Sequence, residues 1–153
     1  VLAARRAVAQ GQADSALDEA ALRAACAIEL IHAYSLVHDD MPCMDNDVLR
    51  RGKPTVHVQF GEAQAMLAGD AMQALAFEVL TPDEGIAPAL QARLCALLAR
   101  SAGHDGMAGG QAIDVDAAYR PLAEGRRIRR TQQVRRQQPQ EQHLLLQLRH
   151  RLL

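Results

Sequence analysis

Residues 28–57 read IELIHAYSLVHDDMPCMDNDVLRRGKPTVH, and the change of texture inside this stretch decides the fold. Up to Asp40 the text is helical. Leu17, Ala21, Ala24, Ile28, Ile31 and Ser35 recur at three- and four-residue spacing, as one buried stripe of a helix does. Ser15 followed by Asp18 resembles a capping box, so the helix is expected over residues 16–40. Pro42 ends it, because proline disfavours the α region at Met41 and has no amide to donate. Residues 41–60 are irregular and polar, punctuated by Gly52 and Pro54. Working outward, residues 61–80 form an Ala-rich second helix, apolar on most faces and therefore expected to be central. TPDEG at 81–85 is a turn, residues 86–101 a third helix, and residues 103–110 a glycine-rich link before helix resumes over 107–118. On the other side, residues 1–9 are a short apolar segment ending in Gly11-Gln12-Ala13-Asp14. No strand and no internal repeat is expected, so the class is all-α, a helical bundle.

Composition agrees. Of 153 residues 49% are apolar, enough for a sizeable core, but only 3% are aromatic and there is no Trp. A β-sandwich or barrel leans on aromatic and β-branched residues, so this poverty argues against one. Alanine and leucine favour helix. The net charge of −1 hides a split. Residues 1–125 hold 17 acids against 9 bases, and residues 126–153 hold eight Arg against one Glu. That second portion, RRIRRTQQVRRQQPQEQHLLLQLRHRLL, is low in complexity, and a disordered tail with one short leucine-rich amphipathic helix is expected there. It lacks aromatics for base stacking, so a nucleic-acid-binding arm is set aside. Cys26, Cys43 and Cys95 form no CxxC and no disulfide framework, which points to a reducing, cytoplasmic compartment. No apolar run is read as long enough to span a bilayer and no signal sequence is visible. The chain starts at Val1 and is read as a fragment or a processed form.

The chemistry concentrates at Asp39, Asp40, Asp45 and Asp47, four carboxylates in nine residues, followed by Arg50, Arg51 and Lys53. Close carboxylates repel one another unless a cation sits among them. Oxygen-only donors suit a hard cation such as Mg²⁺, which shares its shell with waters and substrate phosphates. In an unbroken helix Asp39 and Asp45 would lie roughly 240° apart around the axis. The break at Pro42 lets the chain turn and carry Asp45 back. A helix C-terminus also disfavours carboxylates through its dipole, so Asp39 and Asp40 call for a compensating cation. Arg50 and Arg51 offer planar forks to phosphate. His32 shares the helix face of Asp39 about 10 Å below it, and Tyr34 lies about 7.5 Å down the same helix. On spacing alone His32 reads as structural and Tyr34 as a core aromatic.

HDDMPCMDNDVLRRGKPTVH resembles the first aspartate-rich motif of the trans-isoprenyl diphosphate synthases (the polyprenyl synthetase family), in its expanded DDxxxxD form. IELIHAYSLVHDD before it, FGEAQAMLAGDAM after it and GMAGGQAIDVD at residues 106–116 are similar to the same family, in the same order. The resemblance covers residues 1–116. It implies a helical bundle around an apolar cavity and a Mg²⁺-dependent prenyltransferase. That enzyme joins an allylic diphosphate (dimethylallyl or geranyl) to isopentenyl diphosphate by ionisation, condensation and proton loss. By resemblance, Asp39, Asp40 and Asp45 are the metal-binding and catalytic carboxylates. Arg50 holds the allylic diphosphate, and Arg51 and His32 hold isopentenyl diphosphate. Tyr34, with the Pro42-Cys43 insertion, implies a short product, farnesyl diphosphate. Gln111 and Asp114 of the GGQxxD element are further candidates, and Gly69-Asp70 matches the family with a helix-packing role equally open. The resemblance also implies a homodimer for the complete protein.

The sequence departs from that family in three places. A GKxxRP segment, a KTG segment and a second DDxxD are absent. The expected domains are a partial synthase domain over residues 1–121 and an Arg/Gln-rich tail over 122–153, read as out of the family's frame. Weak or no turnover is the expectation for the chain as written. Two other readings stand beside it: a catalytically inactive helical remnant or metal-binding interaction module, and a terpene cyclase. Arg51, His32 and the GGQ element count against the cyclase, which needs no second diphosphate site.

Overall fold

The computed structural model describes residues 15–119. The expected apolar segment at 1–9 and the tail with its leucine-rich helix at 122–153 lie outside the described residues. In chain order the elements are α1 (Ser15–Asp39), β1 (Leu49–Arg50), β2 (Lys53–Pro54), α2 (Val56–Phe60), α3 (Glu62–Leu80), α4 (Pro88–Ala102) and α5 (Met107–Tyr119). The chain divides at Cys95/Ala96 into two compact units.

The first unit is built on α1 packed against α3. The two helices run antiparallel, since Arg23 Nη1 donates to the Val79 carbonyl at 3.2 Å while His38 Nε2 lies 3.1 Å from the Met66 carbonyl. Arg23 also pairs with Glu19 one turn before it, so a cation sits near the C-terminal end of α3, where the helix dipole favours it. The buried stripe of α1 is Ala20, Ala24, Ala27, Ile28, Ile31 and Tyr34. The expected stripe is correct at Ala24, Ile28 and Ile31 and shifted elsewhere, with Leu17 44% exposed. Small side chains explain the shift. The buried positions include Ala20, Ala24 and Ala27 on α1 and Ala65, Gly69 and Ala76 on α3, all small residues.

The second helix is less central than its composition suggests. One face of α3 is buried, while Met66, Leu67 and Leu75 are exposed, because its main neighbours among the described residues are α1 and the short α2. By length and composition α1 could cross a bilayer, contrary to the sequence expectation. The core helix of a soluble protein passes the same test, and a third of the apolar window of α1 is buried here.

The expectation of no strand also needs correction. Leu49–Arg50 and Lys53–Pro54 pair antiparallel, Leu49 opposite Pro54 and Arg50 opposite Lys53. The loop between them is Arg51-Gly52, with φ of 52° and 78°. Positive φ at both central residues is what a tight type I′ hairpin requires. Pro54 is tolerated because this two-stranded ribbon leaves its nitrogen at an edge. The single turn α2 follows, in a stretch expected to be irregular. Thr55 precedes α2 but does not cap it, because its hydroxyl donates instead to the Asp47 carbonyl at 2.8 Å.

After α3, Gln91 Nε2 donates to the Pro82 and Ile86 carbonyls and braces the turn that leads into α4. Helix α5 carries the GGQAIDVD sequence in the second unit. Cys26, Cys43 and Cys95 are free thiols.

Candidate active site

The site is assembled at the C-terminal end of α1. A helix end leaves its last carbonyls without intrahelical partners. Here the loop that follows supplies them. Asp45 N–H donates to the Asp39 carbonyl at 2.9 Å, Asp47 N–H to the Asp40 carbonyl at 3.1 Å, and Met44 and Asn46 N–H groups both donate to the Met41 carbonyl. Asn46 takes φ of 54°, a left-handed conformation that asparagine tolerates better than most residues. Breaking the helix at Pro42 therefore does what the spacing requires: the backbone of Asp45 returns to the backbone of Asp39.

Asp39 is half-buried and its carboxyl is pushed up to about 6. Burial is the main cause, and repulsion from Asp45 and then Asp40 adds to it. Arg50 and His38 pull the other way without cancelling the rise. Asp45 is exposed on the loop. Asp39 is thus a half-desolvated carboxyl whose ionisation the charge of the exposed Asp45 disfavours.

Asp40 has a different fate. Its side chain is 4% exposed and lies against Arg50. Arg50 Nε donates to both carboxylate oxygens, at 3.0 and 2.9 Å, and Nη2 donates to Oδ1 at 2.6 Å. Sequence reasoning groups Asp40 with Asp39 and Asp45 as a metal ligand and assigns Arg50 to substrate. The structure instead joins Asp40 to Arg50. Asp40 lies one residue past the end of α1, and Arg50 feels the charge of both Asp40 and Asp39. Among the described residues no group of three His, Cys, Asp or Glu side chains is placed to enclose a metal ion. The expected ligands Asp39, Asp40 and Asp45 are oxygen donors only. This donor set fits Mg²⁺, which is commonly held by one or two carboxylates and completed by waters and substrate phosphates.

Arg51 stands exposed at the hairpin turn, one residue beyond Arg50. Lys53, also exposed, completes the cationic hairpin. His32 is half-buried on α1, two turns below Asp39.

Tyr34 is buried between the helices. Gln73 Nε2 lies 3.4 Å from its hydroxyl, and its ring meets His38 edge-on with centroids 5.6 Å apart. Burial pushes the phenol above its ordinary range, Gln73 opposes the rise, and the Asp39 charge adds to it. His38 in turn sits over Gly69, where an added Cβ would fall 2.0 Å from Nε2. Sequence reasoning missed both His38 and Gln73. The only available signal was the register of α1 on α3, which needs the structure. Gln111 and Asp114 lie half-buried on α5 in the second unit.

A family model described as polyprenyl synthetase matches residues 1–137. That match runs past residue 121, where the expected domain boundary was placed. A farnesyl diphosphate synthase from Geobacillus stearothermophilus is 54% identical over 103 residues, covering 66% of this chain and 35% of that protein. Among solved structures, an FPP/GFPP synthase from Zymomonas mobilis without ligand superposes with a TM-score of 0.65 at 57% identity, over 69% of this chain and 38% of that one. A geranyltransferase from Helicobacter pylori, in complex with magnesium and isoprenyl diphosphate, gives a TM-score of 0.60 at 40% identity, over 67% and 33%. The chain therefore spans about a third of the length of the curated relatives it matches.

Proposed function

Because this chain belongs to the polyprenyl synthetase family, we propose that it carries the allylic-diphosphate end of a trans-prenyltransferase making farnesyl diphosphate. The observation that supports this most is the return of Asp45 to Asp39 beside a cationic hairpin. It puts two metal-type carboxylates and Arg50, Arg51 and Lys53 at one helix end. Held there, magnesium would supply neutralisation of the charge on a diphosphate leaving group. Asp39 and Asp45 are the groups that would hold it. Arg50 presents its guanidinium to the allylic diphosphate, as a fixed donor that costs no reorganisation when the leaving group gains charge. Arg51 and His32 serve isopentenyl diphosphate. Tyr34, held between α1 and α3, closes the space beneath the aspartates and limits the growing chain to a short product.

Similarity to a farnesyl diphosphate synthase over 103 residues and to an FPP/GFPP synthase in structure supports this substrate class. The complex of the Helicobacter pylori geranyltransferase supports magnesium as the metal. The complete protein acts in the cytoplasm as a homodimer in this reading.

Calorimetric titration with geranyl diphosphate tests it. Binding is expected in Mg²⁺ and is expected to be lost in EDTA and in Asp39→Asn. Equal binding with and without the metal would sink the assignment.

A further inference from the structure

Thr55 is buried, and each of its polar atoms is committed. Its N–H donates to the Val48 carbonyl at 3.1 Å, and its carbonyl accepts the Gln59 amide at 3.0 Å. Its hydroxyl donates to the Asp47 carbonyl at 2.8 Å and lies 3.1 Å from His57 Nδ1. We propose that Thr55 and His57 form a latch at the base of the hairpin: the Thr55 hydroxyl is a positioning group for the site, and His57 sets the direction of its proton. The proposal rests on the diphosphate reading given above.

Hydrogen counting fixes the two roles. A hydroxyl has one proton to give and lone pairs to receive with. The Asp47 carbonyl can only accept, so the Thr55 proton goes there. Thr55 Oγ1 is then the acceptor toward the ring, and His57 carries its proton on Nδ1. That is the reverse of the tautomer that free neutral histidine prefers. In the other tautomer Nδ1 would compete for the single hydroxyl proton, and the Asp47 carbonyl would lose it.

The latch bears on the site because Asp47 is held from both sides. Its N–H donates to the Asp40 carbonyl at 3.1 Å, and the Asp45 N–H, two residues earlier, donates to the Asp39 carbonyl at 2.9 Å. Asn46 between them is left-handed, with φ of 54°. The Thr55 hydroxyl fixes the carbonyl end of Asp47, while the Thr55 N–H closes Val48 onto the strand pair that presents Arg50 and Lys53. One buried residue thus ties the aspartate loop to the cationic hairpin. Without its hydroxyl the Asp47 peptide is free to rotate, and the return of Asp45 to Asp39 loosens with it.

A hydroxyl that serves only folding would change stability and leave ligand affinity alone, so the two are read separately. The probe is inorganic diphosphate, titrated calorimetrically in Mg²⁺ into the full 153-residue chain well below its melting temperature. In Thr55→Val, which keeps the shape and loses the hydroxyl, affinity is expected to fall about tenfold, the size of one net hydrogen bond. Thr55→Ser is expected to restore it. His57→Leu is expected to weaken binding in the same way, and His57→Asn, whose amide places an N–H where Nδ1 stands, to recover it. The double variant Thr55→Val/His57→Leu is expected to match Thr55→Val, because residues acting as one unit are not additive. Unchanged affinity in Thr55→Val, with only the melt displaced, makes the hydroxyl a folding group and overturns the proposal.

Thr55→Val removes a buried hydrogen bond and can fail to fold, so a second measurement uses the parent chain alone. Nitrogen NMR of the His57 ring, assigned by its loss in His57→Leu, is recorded at a pH of about 8, where an ordinary histidine is neutral. The proton is expected on Nδ1. A proton on Nε2 overturns the proposal while leaving the diphosphate reading intact. If the parent binds no diphosphate in Mg²⁺, the diphosphate reading falls and the positioning role falls with it.

Discussion

At Asp39, helix geometry and solvation set one carboxyl against its surroundings. Its acidity is weakened from the ordinary 3.8 to about 6, chiefly by burial and then by Asp45. A raised folded-state value means that the proton favours the fold. This contribution is complete below 3.8 and is lost as the pH rises through about 6. At neutral pH the ionised Asp39 therefore works against folding until a cation compensates it. Mg²⁺ and protons compete for the same oxygens, so the metal's effect grows with pH. Thermal melts are expected to show little change with Mg²⁺ at pH 5 and a clear rise at pH 7.5. Asp39→Asn should be more stable than the parent at pH 7.5 without metal, by about 1–2 kcal/mol after allowing for solvent screening. It should show no response to Mg²⁺. A metal-dependent rise of equal size at both pH values would contradict this account. The acidic run and the break at Pro42 made the return of Asp45 legible in the sequence. The split between Asp39 and Asp40 was not, because adjacent identical residues read alike until the structure shows what each one meets.

Two elements at the site owe their form to single residues. In the hairpin, Arg51 occupies a left-handed conformation with φ of 52°, where Asn or Gly would be the ordinary choice. The backbone pays about 1 kcal/mol for an ordinary side chain in that region. Arg51→Asn is thus expected to raise stability by about 0.5–1 kcal/mol while removing the guanidinium assigned to isopentenyl diphosphate. The measurements are a denaturant melt and a titration with isopentenyl diphosphate, and a variant that is both less stable and equally able to bind would refute the argument. In the helix pair, Gly69 makes room for the His38 ring. Gly69→Ala forces that ring from its place beside the Met66 carbonyl and the edge of Tyr34. The expected cost is about 1–3 kcal/mol, as for other overpacked contacts. His38→Ala should recover much of it, because the obstruction is one side chain rather than backbone. Additive losses in the double variant would show that Gly69 matters for another reason. The helices themselves were readable from spacing and breakers. The hairpin escaped because its strands are two residues long and Arg-Gly is not a usual type I′ signature. The short α2 escaped because Thr55, whose type suggests a cap, spends its hydroxyl on the Asp47 carbonyl.

For the molecule as a whole, the charge split and the motif order located the family from residues 1–116, and the family model extends the match to residue 137. What composition could not reveal is how little of α3 is covered. An Ala-rich helix looks central in any sequence, yet Met66, Leu67 and Leu75 stay exposed in a chain that spans about a third of its relatives. In the proposed reading the aspartates at the end of α1 hold the metal, and residues 1–153 contain one aspartate-rich motif of this kind. Binding a diphosphate needs only the first set of contacts. Turnover needs the leaving group neutralised in the transition state and the carbocation kept dry within an enclosing apolar wall. The two should therefore separate in this chain. Geranyl diphosphate is expected to bind in a Mg²⁺-dependent way. Incubation with Mg²⁺, geranyl diphosphate and isopentenyl diphosphate is expected to yield little or no farnesyl diphosphate by product chromatography. Arg50→Lys should weaken the binding without creating any turnover. Product at rates ordinary for a synthase would show that the contacts of α1, its loop and α3 suffice for catalysis, and that the exposed face of α3 is no obstacle to it.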